Sequence, residues 1–141
     1  MGDNENKPVP LHTSQVKVRF YDTDLSSAVF FTNQIKWFDS IAVLDFLEER
    51  GITWNDLIKE NVDIPIATVT FDYKAPIFLG DVLDVTVEEV IVGNKSIRFA
   101  GSIYRHETGE LLARGSEVYV FIDVSSRKAI PVPPAVRERL S

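Results

Sequence analysis

The run "NQIKWFDSIAVLDFLEERG", residues 33 to 51, constrains this chain more than any other stretch. Its length is helical, Thr32 or Asn33 can cap its start, and Gly51 is a natural stop. At roughly 100° per residue, Ile35, Trp37, Phe38, Ile41, Ala42, Val43, Leu44, Phe46 and Leu47 fall on nearly every side of the axis. A helix that is apolar all round is surrounded by protein rather than laid on a surface. The rest of the chain must supply that surround, and it reads mainly as strands.

"SQVKVRFY" alternates, with Val16, Val18 and Phe20 facing one way and Lys17 and Arg19 the other. After the helix, "TWNDLIKEN" reads as a short second helix capped by Thr53, with Asp56 at its third position. "IPIATVTFDYKAP" puts Ala67, Val69, Phe71 and Tyr73 on one face. "DVLDVTVEEVIV" sets Leu83, Val85 and Val87 opposite Asp84, Thr86 and Glu88, then slips at a bulge near Glu88 and Glu89. "GNKSIRFAGSIYRHETGELLARGSEVYVFIDV" is a long hairpin turning at "ETGE", with a Gly-Asn turn before it. "PVPPAVRERLS" is a proline-flagged tail with one terminal helical turn. Residues 1–13 form a polar leader expected to be mobile, and residues 14–141 a single domain. These elements predict an α+β fold in which an antiparallel sheet curls around a central helix. Their order excludes the alternating βαβ arrangement of dinucleotide-binding domains.

Composition removes whole classes of function. No apolar run approaches the roughly 18 residues needed to span a bilayer, and the N-terminus is polar and acidic, so no membrane role and a cytoplasmic location are expected. The chain starts Met-Gly, but Asn6 stands where myristoylation wants Ser or Thr. With no cysteine there is no disulfide, thiolate zinc site or cysteine nucleophile. A net charge of −6 argues against nucleic acid. Of the two histidines, His12 lies in the leader and His106 beside a hairpin turn, and both read as surface residues. Neither suits a serine nucleophile, Ser116 sits mid-strand, and the scattered acids offer no metal cluster. No glycine-rich phosphate loop is present, so neither metal nor cofactor is expected.

That leaves Asp22 and Asp24 in "RFYDTDLSS", which an extended backbone would point to one face. One reading is a solvated turn with local side-chain-to-backbone bonds. The other is catalytic: a carboxylate just before a buried helix lies near unpaired N–H groups, where the oxygen of an attacked carbonyl is stabilised. An acid plus such a donor can hydrolyse an activated acyl bond such as a thioester.

The stretch "FYDTDLSSAVFFTNQIKWFD" resembles the active-site segment of the 4-hydroxybenzoyl-CoA thioesterase family of hotdog-fold proteins. That pattern runs aromatic-x-D-x-D-x-x-G-x-V-aromatic-aromatic-x-N-Y, and the later strand "GNKSIRF" is consistent with it. The resemblance implies that Asp24 is the catalytic carboxylate, as nucleophile or general base, and that the Phe31 backbone N–H binds the carbonyl oxygen. Asp22 is then a supporting acid, and Asp39 corresponds to a helix aspartate near the hydroxyl of an aromatic acyl group. Trp37, Phe38 and Phe71 are candidate ring contacts. For the coenzyme A phosphates the family's "K-S" pair falls on Lys95 and Ser96, with Arg98, Arg127 and Lys128 as further candidates.

Two departures stand out. Ser27 replaces the family's glycine, and so needs a backbone conformation that serine can adopt. Position 31 is Phe where branches of the family have His or Tyr, and Gln34 replaces the usual Tyr. A side-chain role at position 31 is therefore lost, while its N–H remains. The expected activity is cofactor-independent hydrolysis of an aromatic acyl-CoA by a homodimer, further paired into a tetramer, with sites between subunits. The alternatives are a thioesterase for acyl-carrier protein and a non-catalytic acyl-CoA-binding protein. A hotdog dehydratase is disfavoured because residues 22 to 50 contain no histidine.

Overall fold

The structure, a computed structural model, describes residues 8–24 and 26–141. The mobility expected of residues 1–7 and the reading of Asn6 lie outside them. Helix α1 runs from Thr32 to Glu49 in three contiguous pieces: Thr32–Lys36, a π-helical Trp37–Val43, and Leu44–Glu49. The strands are β1 (His12–Lys17), β2 (Val62–Asp63), β3 (Ile66–Tyr73), β4 (Val82–Val87), β5 (Glu89–Val92), β6 (Ser96–Arg105), β7 (Leu111–Val120) and β8 (Ile122–Asp123). Six of them form one antiparallel sheet in the order β1-β4-β6-β7-β3, with β5 also on β6, while β2 and β8 pair separately. Two short helices, α2 (Trp54–Lys59) and α3 (Pro134–Leu140), complete the hotdog arrangement.

Packing against the sheet, rather than helix propensity, holds α1. Phe38, Ala42, Val43 and Phe46 are each at most 2% exposed and meet Leu83, Val85, Phe99 and Ile103 in one core. Each large apolar side chain buried this way is worth about 1.5–3 kcal/mol, against at most about 0.7 kcal/mol per residue from propensity. Gly101 and Gly115 face each other across β6 and β7. A Cβ on the first would lie 2.6 Å from the Phe38 ring, and one on the second 2.5 Å from Phe71. The bare glycines therefore seat two rings that meet edge to face at 5.7 Å.

Several expectations need correction. The helix is not wrapped all round: Lys36, Ser40, Leu44, Asp45 and Glu48 are exposed. Neither Thr32 nor Asn33 caps it, because Phe31 before it is already helical and no side chain bonds there. Phe20 is 80% exposed, since the chain leaves the sheet after Lys17 and turns through a 3-10 segment, Phe20–Asp22. β1 starts at His12, two residues inside the stretch read as leader. The His12 ring is buried, with Nε2 2.7 Å from Ser14 Oγ and Nδ1 3.0 Å from Glu49. His106 is exposed beside Asp84, and α3 is longer than the one turn expected. The slip at Glu88 and Glu89 is a break between β4 and β5, both of which pair with β6. Among the described residues no helix is long and apolar enough to cross a membrane.

Candidate active site

The acidic loop is built from short-range bonds. Thr23 bridges to Val29, the Asp24 N–H donates to the Ala28 carbonyl at 2.8 Å, and the Phe30 N–H donates to the Asp22 carbonyl at 3.1 Å. Asn33 locks the loop onto α1 by donating from its amide to that same Asp22 carbonyl at 2.8 Å. The two aspartates do not share a face. Asp22 lies in the 3-10 turn, 8% exposed, and accepts from the Arg19 N–H at 2.8 Å, whereas Asp24 points to solvent. The tight turn before Thr23 breaks the extended geometry that would align them.

Asp24 Oδ1 accepts from the Ser26 hydroxyl at 2.7 Å and the Ser26 N–H at 2.8 Å. The Ser26 hydroxyl, then its N–H, hold the Asp24 pKa below the ordinary aspartate value, so the group stays ionised. Ser27 takes φ +67°, the left-handed conformation that its replacement of glycine demands. At the start of α1 the Phe31 N–H makes no hydrogen bond among the described residues, while its carbonyl accepts from the Tyr73 hydroxyl at 3.0 Å. Gln34 is buried with its Oε1 unpartnered among the described residues.

Asp39 lies elsewhere, on the wall of a cavity of about 470 Å³ between α1, α2 and the β2–β3 segment. Val43, Leu44, Leu47, Trp54, Ile64 and Ile66 supply the apolar lining. The Asp39 carboxylate bonds the Tyr119 hydroxyl, and that hydroxyl is also 2.5 Å from Oε2 of Glu117, a fully buried acid. Burial, with Asp39 adding to it, raises the Glu117 pKa to about 8. Burial and the two acids also raise that of Tyr119, which stays protonated. The sequence reading missed Glu117, Tyr119 and Trp54. A signal was present: strict alternation in "GSEVYVF" puts Glu117 on one face with Gly115, Tyr119 and Phe121.

The ring contacts expected from α1 are otherwise engaged. Trp37 and Phe38 are 6% and 0% exposed in the helix–sheet core, and neither lines the cavity, nor does Phe71. The basic candidates gather at one end of the sheet. The Phe121 N–H donates to the Lys95 carbonyl and the Ile130 N–H to the Phe121 carbonyl, so Lys95 and Ser96 lie near the turn carrying Arg127 and Lys128. Arg98 is paired with Glu89 at 2.8 Å.

A carboxylate loop at the head of a helix wrapped by an antiparallel sheet defines a class, and comparison with known proteins agrees. The model of the thioesterase-like superfamily matches residues 18–140, and the chain belongs to that family. A curated 1,4-dihydroxy-2-naphthoyl-CoA hydrolase of Thermosynechococcus vestitus is 25% identical over 127 residues, 89% of this chain and 86% of that protein. The long-chain acyl-CoA thioesterase FadM of Escherichia coli is 25% identical over 134 residues, 90% and 95% of the two chains. Among solved structures, a gentisyl-coenzyme A thioesterase superposes with a TM-score of 0.77 at 27% identity, covering 91% of this chain and 98% of the other. By this membership the chain is a thioester hydrolase.

Proposed function

We propose that this protein hydrolyses the coenzyme A thioester of a hydroxylated aromatic acid, with Asp24 as the reacting carboxylate and the Phe31 N–H as the oxyanion donor. As a member of a family whose relatives cleave coenzyme A thioesters, it is an acyl-CoA thioesterase. One observation carries the assignment to Asp24: it is ionised, solvent-facing and held by Ser26 in a loop that Phe30 and Asn33 tie to the start of α1, where the Phe31 N–H is unbonded. Water attacks the carbonyl carbon, Asp24 takes its proton, and the charge on the carbonyl oxygen develops toward the Phe31 N–H. The C–S bond then breaks and the proton goes to the leaving thiolate. In the nucleophilic variant Asp24 attacks first and water cleaves the resulting anhydride. No metal or organic cofactor enters either route.

The dihydroxynaphthoyl and gentisyl names of relatives support an aromatic acyl group, and the Asp39 carboxylate in the wall of a mainly apolar cavity favours a hydroxylated one. Lys95, Ser96, Arg127 and Lys128 would receive the nucleotide phosphates at the end of the sheet.

A dimer completes the site in this reading. β3 is an edge strand with Ile66, Val69 and Tyr73 about two-fifths exposed, and its ends differ. Tyr73 touches Phe31 at the helix start, while Ile66 lines the cavity. Antiparallel pairing of two copies of β3 sets the helix start of one beside the cavity of the other. Two such dimers would form the tetramer.

The test is thiol release from benzoyl-, hydroxybenzoyl-, dihydroxynaphthoyl- and palmitoyl-CoA, with Asp24→Asn alongside and the mass in solution measured by light scattering. Turnover of a hydroxyaroyl ester, lost by about 10²–10⁴-fold in the variant, supports the reading. Turnover of palmitoyl-CoA alone, or an unaffected Asn variant, rejects it.

A further inference from the structure

The cavity beside Asp39 carries a feature that thioester cleavage does not use. Three oxygens, from Asp39 on α1 and from Glu117 and Tyr119 on β7, form one chain of short contacts. Tyr119 has a single proton to donate and two acids facing it, so one of those acids must itself be protonated and donate to the phenol oxygen. Position decides which. Glu117 is 0% exposed and its Oε1 has no partner among the described residues, a costly setting for a charge but a tolerable one for a neutral acid. Asp39 is only partly buried, on the cavity wall. The protons therefore run one way: Glu117 donates to Tyr119, and Tyr119 donates to Asp39. One Asp39 oxygen is thereby filled from behind, while the other has only a long 3.4 Å contact from the Ser40 hydroxyl and remains able to accept a bond from the cavity.

The surroundings narrow what can enter. The strand neighbours of Glu117 are Val69 on β3 and Phe99 on β6, neither of which titrates, and Asp39 is the ionisable group facing it from α1. The only other ionisable side chain lining the cavity is Asp63 on β2, and no Lys, Arg or His lines it among the described residues. An anionic guest would meet two acids and no cation, whereas a neutral ring bearing a hydroxyl donor meets apolar walls and one oriented acceptor. We infer that Glu117 and Tyr119 are positioning residues that hold Asp39 as a hydrogen-bond acceptor, so that the cavity selects uncharged hydroxylated acyl groups over unsubstituted ones. The inference rests on the thioesterase reading for its substrate and on geometry for the pocket itself.

Ionisation of Glu117 removes its donor bond to Tyr119 and places two charged acids about one phenol, so selectivity must fall as pH rises past about 8. The kinetic test is the ratio of kcat/KM for 4-(hydroxymethyl)benzoyl-CoA, whose alcohol stays neutral throughout, over benzoyl-CoA from pH 6 to pH 9.5. Wild type should show a ratio above 10 at low pH that falls through about pH 8, carried by KM. Glu117→Gln, whose amide still donates to Tyr119, should keep the high ratio and lose its pH dependence, while Tyr119→Phe should lower the low-pH ratio about tenfold and leave it flat with pH. A wild-type ratio that is flat with pH, or variants matching wild type in both respects, overturns the inference. Binding of p-cresol and toluene, followed by NMR, separates the two readings. If no ester turns over, the thioesterase reading falls, while p-cresol binding at least fivefold tighter than toluene in wild type, and equally in Tyr119→Phe, still supports the polar relay. Equal binding of the two by wild type overturns it.

Discussion

The acidic loop at the head of α1 and the acid relay further along the same helix solve opposite problems. Asp24 is kept charged in solvent by a hydroxyl and an N–H two residues away. Glu117 is kept neutral by burial, and its phenol partner reaches Asp39 across 80 positions of sequence. The first arrangement is the one the proposed function uses for chemistry. The second works against folding whenever it ionises, and its return is selectivity. Function and stability should therefore respond in opposite ways at the two places.

The largest expected effect is on rate. Asp24→Asn should cut hydrolysis by about 10²–10⁴-fold while leaving Tm within about 1 °C, because an exposed side chain with local partners supports little of the fold. A Tm drop of several degrees would mean that the loop is scaffolding and would break the contrast.

Next comes the pH dependence of stability. The Glu117 pKa is raised from 4.5 to about 8 on folding. Between those values the native state holds a proton that the unfolded chain has released, so stability falls as pH rises through that window and levels off above it. The loss is on the order of 5 kcal/mol for a fully buried group. Urea unfolding at pH 5 and pH 9 should show wild type losing stability on this scale, and Glu117→Gln losing much less.

Smaller effects sharpen the description of the loop. Asn33→Ala removes the amide bond to the Asp22 carbonyl and should cost about 1 kcal/mol, with a fall in kcat as the loop loosens. Ser27→Gly relieves a residue at φ +67° and should stabilise by about 0.5–1 kcal/mol, measured by denaturant midpoint. A destabilised Ser27→Gly would mean that Ser27 does more than occupy the turn.

The two regions were also unequally legible. Asp22, Asp24, Ser27, Phe31 and Asn33 lie within a dozen residues, and the bonds that hold Asp22 and Asp24 are mostly to near neighbours in sequence, so a local pattern could flag the loop. It could not show that the 3-10 turn buries Asp22 and turns Asp24 outward. On α1, a uniform helical wheel assumed i→i+4 bonding, whereas Trp37–Val43 is π-helical. His12 looked like a surface residue of a leader because nothing nearby in sequence announces Phe46 and Glu49, which enclose it.

Alternation, turn residues and an all-round apolar helix were enough to specify the fold class, the strand sequence and the acidic loop, because each is set by neighbours along the chain. The cavity, the buried Glu117 and its one-way bond through Tyr119 to Asp39 arise only when β7 is laid beside β3 and under α1. A side chain's protonation depends on how much water and which partners surround it, and those are properties of the packed molecule.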